Sequence, residues 1–238
     1  MAVNSPFQKL QADLGVLIST IPAGERLLSE PKLAKQLGVS RATLREAMRT
    51  FETQGLIRRR QGAGTFVVGQ VPVLESGLEV LESIETMAQR MGMTVSVKDF
   101  RVEQVLATEK QIQKLNVPLE TPLIRISRVM STNKRPAAFL VDTLPSDFLS
   151  EDELPDKFRG SVLDFLIARG DSPTMAKIAV NARSAPSYVA KALEIQRGDV
   201  LLRLSSQLYL DADQVIDYSI GYFLPGYFNF HVLGRVHL

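Results

Sequence analysis

The stretch from Gly24 to Val67 constrains the fold of this chain more than any other. Ser29 stands as the N-cap of a short helix running through Leu37, Gly38 and Val39 supply a tight turn, and Ser40 caps a second helix. In that second helix Leu44, Ala47, Met48 and Phe51 recur at i, i+3, i+4 and i+7, so one face must pack inward. Arg41, Arg45 and Arg49 recur on another face. Gln54 and Gly55 stop the helix, Leu56 to Arg60 reads as a strand, Gln61-Gly62-Ala63-Gly64 as a turn, and Thr65 to Val68 as the returning strand. Two helices across a tight turn followed by a basic hairpin make a winged helix-turn-helix, and a helix that only packs has no use for three aligned arginines.

A major groove accepts a helix with such a stripe, so double-stranded DNA is the expected partner. The expected contacts are Ser29, Glu30 and Lys32 from the first helix and Ser40, Arg41, Ala42, Thr43, Arg45 and Arg49 from the second. Gln61, Gly62, Gly64 and Thr65 join them from the wing tip, where glycines let backbone approach a phosphate or the minor groove. Charge agrees: residues 1–70 hold ten Lys or Arg against five Asp or Glu, whereas the rest holds eighteen against twenty-one. The segment resembles the winged-helix domain of the GntR family of bacterial transcription regulators, through LGVSR-x-T-x-REA from Leu37 to Ala47 and the terminal GAGTFV. Leu28 departs from the Pro that usually precedes Ser-Glu in that family.

Composition narrows the remainder. At 238 residues, 45% hydrophobic and 23% charged, the chain is read as soluble and two-domain. No apolar run approaches the roughly eighteen residues of a membrane span, and MAVNSPFQKL lacks a secretory apolar core, so a cytoplasmic location without membrane contact is expected. Cysteine is absent and the histidines are His231 and His237, read as C-terminal strand residues; neither a metal nor a cofactor is expected.

Ser5 and Pro6 open a first helix to about Ile21 with Leu10, Leu14, Leu17 and Ile18 inward. The DNA domain is expected over 1–69, a linker and hinge over 70–77, a helix over Leu78 to Met91 and a second domain over 78–238. That domain nearly repeats itself. A helix at Ala107 to Leu115, a strand at Leu123 to Ser127, a turn at Asn133-Lys134 and a return strand are followed by a helix at Pro186 to Leu193, a strand at Leu201 to Ser205, a turn at Asp211 to Asp213 and a return strand. Two such units predict one antiparallel sheet with pseudo-twofold organisation, helices on one side and a cleft between halves. The repeat resembles the UTRA effector-sensing domain of the HutC branch of GntR regulators, through LIRISRVM, VAKALEIQRGDVLLRLSSQLYL and VIDYSIGYFLPGYF. The fold class is therefore α+β: an N-terminal winged helix-turn-helix plus a C-terminal chorismate-lyase-like antiparallel-sheet domain.

Arg128 interrupts an apolar strand, and its planar fork suits a carboxylate or phosphate. Ser83 lies near a helix start whose free N–H groups could hold an anion. The resemblance implies that Asp217, with Tyr218 and Tyr222, contacts ligand hydroxyl or amino groups. Met130 stands where that branch carries a second Arg, and its frequent Glu is missing near Leu140. The expected protein is a homodimeric repressor on a pseudo-palindromic operator, released by a small polar effector carrying an anionic group. An enzyme with a lyase-like second domain tethered to DNA is one alternative. A nonspecific architectural DNA protein is the other.

Overall fold

The protein's structure, a computed structural model, describes residues 6–60, 63–68, 73–132, 135–156 and 158–234. It divides into two compact units, Met1–Val73 with Pro225–Tyr227, and Leu74–Leu224 with Phe228–Leu238. Gln61, Gly62, residues 70–72 of the expected linker, the Asn133-Lys134 turn, the Ser5 cap and His237 lie outside the described residues.

In the first unit α1 (Pro6–Thr20), α2 (Glu30–Gln36) and α3 (Arg41–Thr53) precede an antiparallel pair, β1 (Ile57–Arg60) and β2 (Gly64–Val67). Leu10, Leu14 and Ile18 of α1 meet Leu33 of α2, Leu44, Met48 and Phe51 of α3, and Ile57 and Val67 of the wing in one core. Leu17, expected inward, is only partly buried beside it. The Ser40 side chain accepts the Thr43 amide at 3.1 Å, as an N-cap should. Ser29 occupies the cap position of α2 without a side-chain cap bond. A third wing edge escaped the sequence reading: Gly24 and Leu27 donate to the Val67 and Thr65 carbonyls, and Val67 donates to Glu25, each at 2.8 Å.

The second unit is built on a six-stranded antiparallel sheet. It opens with β3 (Leu74–Gly77) and α4 (Ile84–Arg90), followed by β4 (Val95–Leu106), α5 (Glu109–Leu115), β5 (Pro122–Thr132) and β6 (Arg135–Pro145). Then come α6 (Val162–Arg169), β7 (Met175–Ser184), α7 (Ser187–Ala192), β8 (Val200–Tyr209), β9 (Val215–Phe223) and β10 (Phe228–His231). The sheet order β4-β5-β6-β9-β8-β7 reads as strand, helix, hairpin and its mirror, with the pseudo-twofold axis between β6 and β9.

Three expectations are corrected. Leu74–Gly77 is a strand paired in parallel with β10, so the linker cannot extend through 77. The helix expected over Leu78 to Met91 shrinks to Ile84–Arg90, because its cap is Ser83, which accepts the Thr86 amide at 2.9 Å. Helices flank both faces of the sheet: α5 and α7 border a hollow on the face of Tyr218 and Tyr222, while α4 and the start of α6 border one on the face of Arg128.

Candidate functional site

In the first unit the exposed end of α3 presents Arg41, Ala42, Thr43 and Arg45, while Leu44, Ala47 and Met48 are buried beneath. The Arg45 guanidinium donates to Glu30 at 2.6 Å across the turn, with 57% of its side chain still exposed. An ion pair so exposed contributes about 0–1 kcal/mol, so Arg45 can leave it for a base edge or phosphate at small cost. Arg59 ties the wing to the same helix, lying 3.5 Å from Glu52 and donating to the Arg45 carbonyl at 3.4 Å. Arg49 is half-buried, and Lys32 and Ser29 are exposed.

On the wing the alternation of a strand decides what is available. Arg58 and Arg60 point outward on one face with Phe66, and Arg60 lies over the Phe66 ring at 5.2 Å. Thr65, expected at the DNA surface, is only 7% exposed because it shares the inner face with Arg59. Gly64 has φ +111°, and a Cβ there would collide with the Arg26 guanidinium. Arg26, Arg58 and Arg60 were absent from the expected contacts, although the run Arg58-Arg59-Arg60 was visible.

In the second unit a cavity of about 150 Å³ lies on one sheet face. Arg128 of β5, Leu140 and Asp142 of β6, and Asp217 and Ser219 of β9 line its floor. Ser83 and Glu85 of the α4 region and Ser161 before α6 close it. Arg128 is 3% exposed, and its Nη1 donates to Asp142. Burial opposes the Arg128 charge, yet Asp142, Glu85 and Asp217 outweigh it and hold the guanidinium above its ordinary pKa. Asp217 accepts the Thr143 amide at 3.0 Å, and its pKa is raised well above the ordinary carboxylate range, first by burial and then by Asp142. Burial likewise raises Glu85.

The structure therefore brings Ser83, Arg128 and Asp217 to one cavity and separates two of the expected effector residues from them. Tyr218 and Tyr222 occupy the opposite sheet face, because neighbouring residues on a strand point to opposite sides. There they line a wider hollow of about 810 Å³ with Arg125, Lys110 and Tyr188. The Tyr188 and Tyr222 hydroxyls are 3.4 Å apart, and burial followed by that contact pushes the Tyr188 pKa up to about 12. Ser83 is committed elsewhere, donating to Asp164 at 2.5 Å while it caps α4. The acid missed near Leu140 is Asp142, two residues along and on the same face. Asp142 and Ser206, which also lines the cavity, carried no local signal, since the register of β5, β6, β8 and β9 assembles them, while Glu85 reaches the cavity from α4.

Among the described residues no helix is long and apolar enough to cross a membrane. The family described as "UTRA domain" matches residues 90–229, and "Bacterial regulatory proteins, gntR family" matches residues 8–67. The HTH-type transcriptional repressor NagR of Bacillus subtilis (strain 168) is 26% identical over 212 residues, 88% of this chain and 86% of that protein. The protein named "Probable fructoselysine utilization operon transcriptional repressor" of Escherichia coli (strain K12) is 27% identical over 199 residues, 83% and 80% of the two chains. The crystal structure of PhnF from Mycobacterium smegmatis superposes with TM-score 0.65 at 19% identity, covering 96% of this chain and all of the other, which agrees with the winged-helix and sheet architecture. Relatives named as transcriptional repressors favour the regulator over the DNA-tethered enzyme. With a gntR-type winged helix-turn-helix followed by the domain that matches over more than half of its length, the chain belongs to the UTRA-domain regulators of the gntR family.

Proposed function

We propose that this regulator is a cytoplasmic one-component repressor, binding a pseudo-palindromic operator as a homodimer and leaving it when a small polar molecule fills the cavity beside Arg128. The reading of the DNA surface rests on Arg41 and Arg45 at the exposed N-terminal part of α3, where helix-turn-helix proteins read base edges. Arg58 and Arg60 on the wing suit phosphates. The observation that carries the sensor reading is the cavity itself: a largely apolar hollow in which Arg128, Asp142 and Asp217 are buried together. Buried charge is costly, and a core built only for stability is served as well by apolar side chains.

Release requires the effector to bind the DNA-incompetent arrangement better than the DNA-competent one. Coupling of about 1–3 kcal/mol is typical of such switches. The test is a metabolite screen for thermal stabilisation, followed by a binding-shift assay on DNA from beside the protein's own gene. A compound that stabilises the protein in proportion to its concentration and releases that DNA supports the reading. Binding to all DNA alike, unaffected by any stabilising compound, would favour the architectural alternative.

A further inference from the structure

The cavity is rich in acid. Among the described residues that line it Arg128 is the single cation, against Glu82, Glu85, Asp142 and Asp217. Glu82 is paired with Arg90 at 2.6 Å and Asp142 with Arg128. That leaves Glu85 and Asp217 without a cation of their own. Both Glu85 carboxylate oxygens are shut off from solvent with no hydrogen-bond partner, and so is Nε of Arg128, whose side chain is 4% exposed. From α6 the nearby group is Asp164, held by Ser83. From β7 and β8 the lining is Ile178, Leu204, Ser206 and Leu208, which carry no charge.

An anionic ligand would meet a guanidinium already neutralised by Asp142 and would add negative charge beside Glu85 and Asp217. Their upward pKa shifts express the same imbalance, since without a cation the buried carboxyls favour the protonated form. We propose that the effector is a small ammonium compound whose positive charge is compensated by Glu85 and Asp217 and whose hydroxyl or carbonyl oxygen accepts from Nε of Arg128. The rest of its body lies against Leu140, Leu204 and Ile178. This rests on the cavity being the effector site, and it reverses the charge expected from the sequence. A volume of about 150 Å³ matches cavities that take a single benzene-sized ring, so the ligand has roughly ten heavy atoms or fewer.

Three probes on one frame test it against the full-length protein by titration calorimetry at pH 7.5: 2-amino-1-phenylethanol, 1-phenyl-1,2-ethanediol and mandelate. The expected result is that the amine binds about tenfold or more tighter than the diol, with mandelate weakest. Glu85→Gln and Asp217→Asn should each reduce amine affinity about tenfold while leaving the diol unchanged. Equal binding of the three probes, a preference for mandelate, or no binding by any of them overturns the proposal. The underlying reading is tested separately with any compound that releases operator DNA. If that compound is an anion whose binding is lost in the cavity-filling variant Leu204→Phe, the cavity is the effector site and the ammonium class alone is wrong. If its binding survives Leu204→Phe, Glu85→Gln and Asp217→Asn alike, the effector-site reading itself fails.

Discussion

Replacing Arg128 by methionine removes the cation around which the cavity is organised while keeping an unbranched side chain in its place. The residue is 3% exposed, so the change leaves Asp142, whose side chain is 12% exposed, with no counterion in a largely buried site. Breaking a buried pair from one side costs about 3–5 kcal/mol. Glu85 and Asp217 enlarge the effect in a pH-dependent way, because both are already raised and Arg128 is the cation that lowers them. A carboxyl raised in the folded state gives its full stability below its unfolded pKa of about 4, and that stability is lost as pH rises through the raised value. The deficit of Arg128→Met against the parent should therefore be about 3–5 kcal/mol at pH 8 and smaller at pH 5. At about 2–4 °C per kcal/mol, melting at pH 8 should fall by about 6–20 °C. The chain has no tryptophan, and Tyr188, Tyr209, Tyr218 and Tyr222 lie on or against the sheet, so urea unfolding followed by tyrosine fluorescence reports this unit. An equal deficit at both pH values, or one below about 3 kcal/mol at pH 8, would refute the reasoning, since that is the lower limit for a one-sided loss.

The neutral isostere Asp217→Asn keeps an acceptor for the Thr143 amide and removes the raised carboxyl, so it should match the parent near pH 4 and exceed it in stability at pH 8, read from paired urea titrations. Arg45→Ala should weaken operator binding by about 1–3 kcal/mol in fluorescence anisotropy, while melting moves little because the Glu30 pair is exposed. Arg58→Ala and Arg60→Ala should each flatten the dependence of log affinity on log salt by about one unit without changing base preference. Ser40→Ala removes the α3 cap and should cost about 0.5–2 kcal/mol in thermal unfolding. Gly64→Ala strains a residue at φ +111° and displaces Arg26, so DNA affinity should fall in anisotropy with ligand binding by the second unit retained.

The DNA-reading unit was legible in the sequence because its signals are local. Ser40 caps the helix it precedes, Gly38 and Gly55 both carry positive φ at the turns expected of them, and Leu44, Ala47 and Met48 are buried on the face their spacing predicts. Thr65 went wrong within the same local logic, since wing alternation sends it inward beside Arg59. The repeat exposed the hairpins β5-β6 and β8-β9, while β4 and β7, which begin each copy, were missed. Their exposed faces carry charge and small residues in place of an apolar run. The cavity was least legible. Arg128, Asp142 and Asp217 lie on three strands, and only the pairing of β5 with β6 and β6 with β9 brings them together. The grouping of Tyr218 and Tyr222 with Asp217 could have been resolved from spacing alone, because odd and even positions of one strand cannot share a face.

The most direct test of the account is a closed linkage cycle on the full-length protein. The affinity of operator DNA is measured with and without a saturating compound from the stabilisation screen, and the affinity of that compound with and without saturating operator. If filling the cavity moves the protein off its operator, both affinities must weaken by the same factor, about 5- to 150-fold for coupling of ordinary size. Asp217→Asn should weaken the compound's binding and leave operator affinity in its absence unchanged. A compound that binds the cavity with the same affinity whether or not operator is present would contradict the account, whatever its strength of binding.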